Sequence, residues 1–188
     1  MKKMTPSLFR TMRITQVSCA LALGLAAANA AAVNWDYVGV GYVDHFGSGA
    51  YLNLSHQLEP RWVVRADLAR VSKHSVDVSE FSLGANYLTE FKLDFAPSIQ
   101  TYIRGGLQHA FEDASDTGVY AGVGITDKLT PEVEWFTELS YHTIGRDYTS
   151  FAGGIAFYFS PEWAARTSVA LNSGNRSNEF RLGVSYQF

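Results

Sequence analysis

The chain has 188 residues, 47% of them hydrophobic and 14% aromatic, with a single cysteine and a formal net charge of −3. Beyond residue 30 there are 11 Lys+Arg against 18 Asp+Glu and no cysteine. An acidic surface of this kind excludes nucleic acid as a partner, disulfides cannot hold the fold, and the length suits one domain.

Residues 1–30, MKKMTPSLFRTMRITQVSCALALGLAAANA, carry Lys2, Lys3, Arg10 and Arg13, no acid, an apolar run from Val17 to Ala28, and Ala-Asn-Ala before Ala31. This is the layout of a cleaved secretory signal peptide; roughly 20 apolar residues are needed to span a bilayer, and this run is shorter. Cys19 precedes most of the apolar run and reads as an incidental small residue rather than a lipid-attachment site. Residues 31–188 are expected to form the folded domain of an exported protein.

From residue 31 onward no apolar stretch is long enough for a membrane helix, whereas period-2 alternation recurs. In RWVVRADLARV, Trp62, Val64, Ala66 and Leu68 oppose Arg61, Val63, Arg65, Asp67 and Ala69. In EVEWFTELSYH, Val133, Trp135, Thr137, Leu139 and Tyr141 oppose Glu134, Phe136, Glu138, Ser140 and His142. Farther on, Phe151, Gly153, Ile155, Phe157 and Phe159 alternate with Ala152, Gly154, Ala156 and Tyr158. Pro60, Pro97, Pro131 and Pro161 each mark a turn, where a missing N–H costs no ladder bond. Between them lie polar loops near residues 44–49, 72–77, 110–116, 143–149 and 173–177. The pattern predicts strands at about 36–43, 50–58, 61–71, 78–88, 98–109, 117–126, 132–142, 150–159, 163–172 and 178–188. Ten antiparallel strands in five hairpins follow.

Alternation alone fits both a soluble barrel with an apolar interior and a membrane barrel with an apolar exterior. Three features favour the membrane. Glycines (Gly84, Gly106, Gly122, Gly124, Gly154, Gly183) stud the polar face, as a crowded lumen requires. Aromatics gather at the ends of the apolar face: Trp62, Tyr87, Phe159, Trp163 and Phe188 at the turn end, Phe81, Tyr141, Phe151 and Phe180 at the loop end, in the manner of interfacial girdles. Strands of about ten residues also match a tilted membrane span. The chain closes on RLGVSYQF, with Leu182, Val184, Tyr186 and Phe188 on one face.

The segments FSLGANYL (Phe81–Leu88) and RLGVSYQF (Arg181–Phe188) resemble the small outer-membrane β-barrel proteins of the OmpA-like transmembrane superfamily, often labelled porin family. The resemblance implies an all-β, up-and-down transmembrane barrel in the outer membrane of a Gram-negative bacterium, eight-stranded in the best-known members against ten here. It also implies that Phe188 ends a strand that closes on the first and is read by the barrel-assembly machinery. Expected partners are outer-membrane lipid and lipopolysaccharide, with periplasmic chaperones and the assembly machinery during biogenesis.

On the expected lumen face lie Arg65, Asp67, Glu80, Arg104, Glu134, Glu138, Arg166, Glu179 and Arg181. They read either as a charged channel lining or as ion pairs filling a narrow bore; single buried charges are costly, so mixed signs imply pairing, and the filled lumen is preferred. No cofactor is implied: the five histidines lack metal-ligand spacing, and Gly39-Val-Gly41 and Gly122-Val-Gly124 complete no nucleotide loop. His74 with Asp77, His109 with Glu112 and Asp113, and His142 with Asp147 supply the alternative, an outer-membrane enzyme with a loop-end His and acid, either a protease or a lipid A modifying enzyme. The chain matches no signature of those enzymes, and its loops are too short to favour adhesion. The expectation is a non-enzymatic barrel with a structural or narrow-pore role.

Overall fold

The computed structural model describes residues 33–73, 76–94, 96–111, 115–174 and 176–188. The expected signal peptide, residues 1–30, lies outside these. The ten strands are β1 (Tyr37–Asp44), β2 (Ser48–Glu59), β3 (Trp62–Lys73), β4 (Val76–Leu88), β5 (Gln100–Phe111), β6 (Asp116–Thr130), β7 (Val133–His142), β8 (Tyr148–Tyr158), β9 (Trp163–Asn172) and β10 (Glu179–Gln187). Each pairs antiparallel with its sequence neighbours, and β1 pairs with β10, so the sheet closes into a ten-stranded barrel. Closure satisfies every edge, which is what a sheet in hydrocarbon needs.

Strands β2, β3, β4, β6 and β8 run longer than their alternation predicts, β6 most of all. The β6 strand continues through the polar stretch Thr126–Thr130, where a register shift between Lys128 and Thr130 accommodates the turn at Pro131. A similar shift between Gln57 and Glu59 precedes Pro60. Bulges of this kind absorb one residue and let polar sequence stay in the ladder. The connection from β4 to β5, residues 89–99, is the longest turn; the Thr89 amide donates to the Thr101 carbonyl at 2.9 Å and ties its ends together.

Polarity is sorted by face. Val40, Leu52, Leu107, Val123, Phe157 and Leu182 point outward and are each about half exposed, while Ser55, Asn86, Glu134, Glu138, Ser140 and Gln187 point inward and are buried. This is a soluble protein turned inside out. At the turn end Trp62 packs on Tyr87 at 5.1 Å and Trp163 on Tyr186 at 5.2 Å, beside exposed Phe159 and Phe188. At the loop end Phe81, Tyr141, Phe151 and Phe180 are exposed. The Phe188 amide donates to the Asp36 carbonyl at 3.2 Å, carrying the β1–β10 ladder to its final residue.

Two glycine pairs set the curvature. Gly84 faces Gly106 across β4 and β5, and Gly41 faces Gly183 across β1 and β10. A Cβ on Gly106 would stand 2.3 Å from the Leu83 carbonyl oxygen, and one on Gly41 2.3 Å from that of Leu182. The strands meet too closely on the inner face for any side chain there. Glycine at both partners lets the wall bend.

Candidate functional site

The inward positions build the lumen in tiers. At the turn end Trp35 meets Tyr102 edge-on, centroids 5.7 Å apart, against buried Val63 and Leu88. This apolar group floors the bore. On the neighbouring wall the Tyr158 hydroxyl donates to Glu134 at 2.6 Å.

Above the floor, the Tyr102 hydroxyl donates to Glu138 at 3.2 Å, and Glu138 also takes a direct ion pair from Arg104, over the β6 glycines Gly122 and Gly124. Arg166 lies 3.9 Å from Glu134 and donates through Nε to Ser185 at 2.8 Å. Toward the loops, Arg181 grips Asp67 through two nitrogens at 2.6 and 3.1 Å and Glu179 at 2.7 Å. Arg176, from the β9–β10 loop, reaches down to pair with Glu80. Each carboxylate therefore meets a guanidinium, the condition under which buried charge is tolerated.

Tyrosines hold these arginines. Arg104 stacks over Tyr120 at 4.6 Å, Arg166 over Tyr37 at 4.0 Å, Arg176 over Tyr148 at 5.2 Å and Arg181 over Tyr51 at 5.0 Å. Ring faces over guanidinium groups fix the cations and exclude water. The tyrosines fit because glycines lie beneath them: a Cβ on Gly84 would come within 2.2 Å of the Tyr120 hydroxyl, on Gly183 within 2.5 Å of that of Tyr51, and on Gly124 within 2.3 Å of the Tyr102 ring. What is left open is an internal cavity of about 210 Å³ lined by both arginines and acids.

The structure turns seven of the expected residues into the lumen as the pairs Arg104–Glu138 and Arg166–Glu134 and the trio Arg181–Asp67–Glu179; Arg65 lines the lumen cavity without an ion-pair partner among the described residues. Sequence reasoning missed Arg176 and the inner tyrosines. Arg176 lies in a loop where no alternation exists. Tyr37, Tyr51, Tyr102, Tyr120 and Tyr148 do share the parity of the polar face, and that was the available signal.

The expected His–acid pairs fare differently. His142 points into the lumen, stacked between Tyr120 at 5.6 Å and Tyr148 at 4.6 Å and bonded to Ser140 at 2.8 Å and Gln108 at 2.7 Å. Asp147 instead accepts from the Tyr141 hydroxyl on the outer face, because Tyr141 and His142 have opposite parity. The His142–Asp147 pairing is thus corrected. His109 contacts Thr117 at 2.7 Å, and its proposed acids Glu112 and Asp113 lie outside the described residues, as does His74; Asp77 pairs with Arg70 at 2.8 Å. Among the described residues no group of three or more His, Cys, Asp or Glu could hold a metal ion.

A closed antiparallel barrel with an apolar exterior, aromatic bands at both ends and a polar, charged lumen is a transmembrane β-barrel. Comparison with solved structures agrees. The chain is similar to the KdgM porin (TM-score 0.51, 13% identity, covering 81% of this chain and 99% of that one) and to the KdgM porin in complex with disordered oligogalacturonate (0.50, 15%, 81% and 99%). It is also similar to the translocator domain of the autotransporter NalP from Neisseria meningitidis (0.50, 11%, 81% and 86%). What they share with it at these identities is the barrel fold. No family model and no curated protein matches the chain in sequence.

Proposed function

We propose that the protein is exported to the outer membrane of a Gram-negative bacterium and stands there as an integral barrel with its termini and short turns in the periplasm, its lumen held nearly shut by side chains. The role is structural or that of a very narrow pore, without catalysis. One observation carries this reading: inside the bore Arg104–Glu138 bridges β5 to β7 and Arg181, held by Glu179, bridges β10 to Asp67 on β3, above an apolar floor and within a wall whose outer face is apolar. Open aqueous channels belong to barrels of about sixteen strands, and barrels near eight are filled by their own side chains. Ten strands leave little bore once tyrosines occupy it.

Fractionation with heat-modifiable gel mobility tests the location; recovery as a soluble periplasmic protein without detergent overturns it. Planar-bilayer recording tests the lumen. Wild type should show no porin-sized conductance, and a steady large current refutes the filled bore. A small conductance that grows when Arg104 and Glu138 are both replaced by Ala identifies a narrow pore; silence in both identifies a structural barrel.

A further inference from the structure

Arg65 stands apart from the other lumen arginines. Among the described residues it makes neither an ion pair nor a side-chain hydrogen bond, while Arg104, Arg166, Arg176 and Arg181 each have an acid. Its side chain lines the lumen cavity of about 210 Å³, with Arg104, Arg166 and Glu138 around it and Asp67, Glu80 and Glu179 farther toward the loops. The imbalance is also axial. The loop-end half of the lumen sets Arg176 and Arg181 against Asp67, Glu80 and Glu179, whereas the turn-end half sets Arg65, Arg104 and Arg166 against Glu134 and Glu138 alone. An uncompensated cation at membrane depth is expensive.

A second observation falls at the same level. Arg104 Nε, Arg166 Nη2 and Asn86 Nδ2 are buried donors without an acceptor, and Asn86, 1% exposed, lies opposite Arg104 in the β4–β5 register. Ser55, fully buried and paired with Arg65 across β2 and β3, has a hydroxyl with no partner. Of these donors, those of Arg104 and Arg166 belong to side chains that line the cavity beside Arg65, while Ser55 and Asn86 sit in the wall behind it.

We infer that the turn-end half of the lumen binds one small monovalent anion, a halide or a short carboxylate, between Arg65 and its neighbours Arg104 and Arg166. A single negative charge matches the single excess cation, and the flanking Glu134 and Glu138 repel a divalent anion. The aromatic floor of Trp35 and Tyr102 keeps the site from draining to the turn end. This site is distinct from the question of conductance, since occupancy is measured without any current.

Chloride-35 NMR line broadening on the whole mature barrel in zwitterionic detergent tests it. Wild type should broaden the chloride line, and millimolar acetate should reverse the effect. Arg65→Gln should remove at least four-fifths of the broadening, while Arg70→Gln, at the exposed partner of Asp77, should retain it. Ser55→Asp, which places a resident carboxylate beside Arg65, should abolish broadening and raise the melting temperature; it carries the test if Arg65→Gln fails to fold. Equal broadening in wild type and Arg65→Gln, broadening that survives Ser55→Asp, or broadening that acetate leaves untouched overturns the site and reduces it to surface counterions.

Discussion

Replacing Glu138 with Gln probes a well-enclosed ion pair of the lumen. Glu138 is 6% exposed and Arg104 16%, and the carboxylate accepts from both Arg104 and the Tyr102 hydroxyl. The amide keeps the shape and removes the charge, leaving Arg104 held by the face of Tyr120 and by no acid. Breaking a buried pair by removing one partner costs about 3–5 kcal/mol; the adjoining cavity places this case at the lower end, about 3 kcal/mol. With a urea slope of about 2 kcal/mol/M, the unfolding midpoint should fall by roughly 1.5 M. The assay is reversible urea unfolding in lipid vesicles followed by tryptophan fluorescence, to which Trp35 on Tyr102 contributes a reporter next to the perturbation. Replacing Arg104 and Glu138 together with Met should recover most of the loss, to within about 1 kcal/mol of wild type, because two apolar chains leave no orphaned charge. A single variant within about 0.5 kcal/mol of wild type, or a double variant as unstable as the single, refutes the reasoning.

Four further outcomes are expected. Gly106→Val should abolish refolding into vesicles, since its Cβ would meet the Leu83 carbonyl oxygen at 2.3 Å, whereas Gly105→Ala, whose nearest neighbour is 3.4 Å away, should refold normally; equal yields would dismiss the glycine corner. Deleting Phe188 should lower outer-membrane levels far more than Ser173→Ala, measured by immunoblot of membrane fractions, and equal levels would remove its role in assembly. His142→Ala should leave the lipid A mass profile and the cleavage of basic peptides unchanged; loss of either would restore the enzyme reading. His45, in the β1–β2 loop, has its pKa lowered below the ordinary 6.5 by burial and then by Arg176, with Glu179 and Glu80 opposing. Above pH 6.5 it is neutral folded or unfolded, and below it the unfolded chain protonates first, so stability should fall as pH drops through that range and His45→Asn should flatten the loss in urea titrations.

Strand order and facing were legible because alternation is a local property: in β3 and β7 each residue's parity names its side of the wall, and parity alone put Arg65, Asp67, Glu134 and Glu138 indoors. Partner choice was not legible. Arg181 meets Asp67 over a separation of 114 residues, a fact of barrel diameter and strand stagger that no window of sequence contains. His142 shows the opposite failure, since nearness in sequence to Asp147 suggested a pair that the pleat forbids. The Arg–Tyr stacks lie between: the parity of Tyr37, Tyr51, Tyr120 and Tyr148 turns them inward, but which arginine lies over which ring depends on strand stagger, and Arg166 over Tyr37 and Arg181 over Tyr51 each reach across an intervening strand.

The β1–β10 seam described above is unlike every other pairing in the wall. The other nine join strands adjacent in sequence and close short stretches of chain. The seam joins Tyr37 to Gln187 and Asp44 to Phe180, over eight residue pairs. Closing roughly 140 residues rather than ten spans nearly four doublings of length, an added entropic cost of about 2 kcal/mol. The molecule is thus a ribbon of local hairpins held as a ring by one junction between its two ends, the one pairing of the ten that no hairpin turn helps to hold.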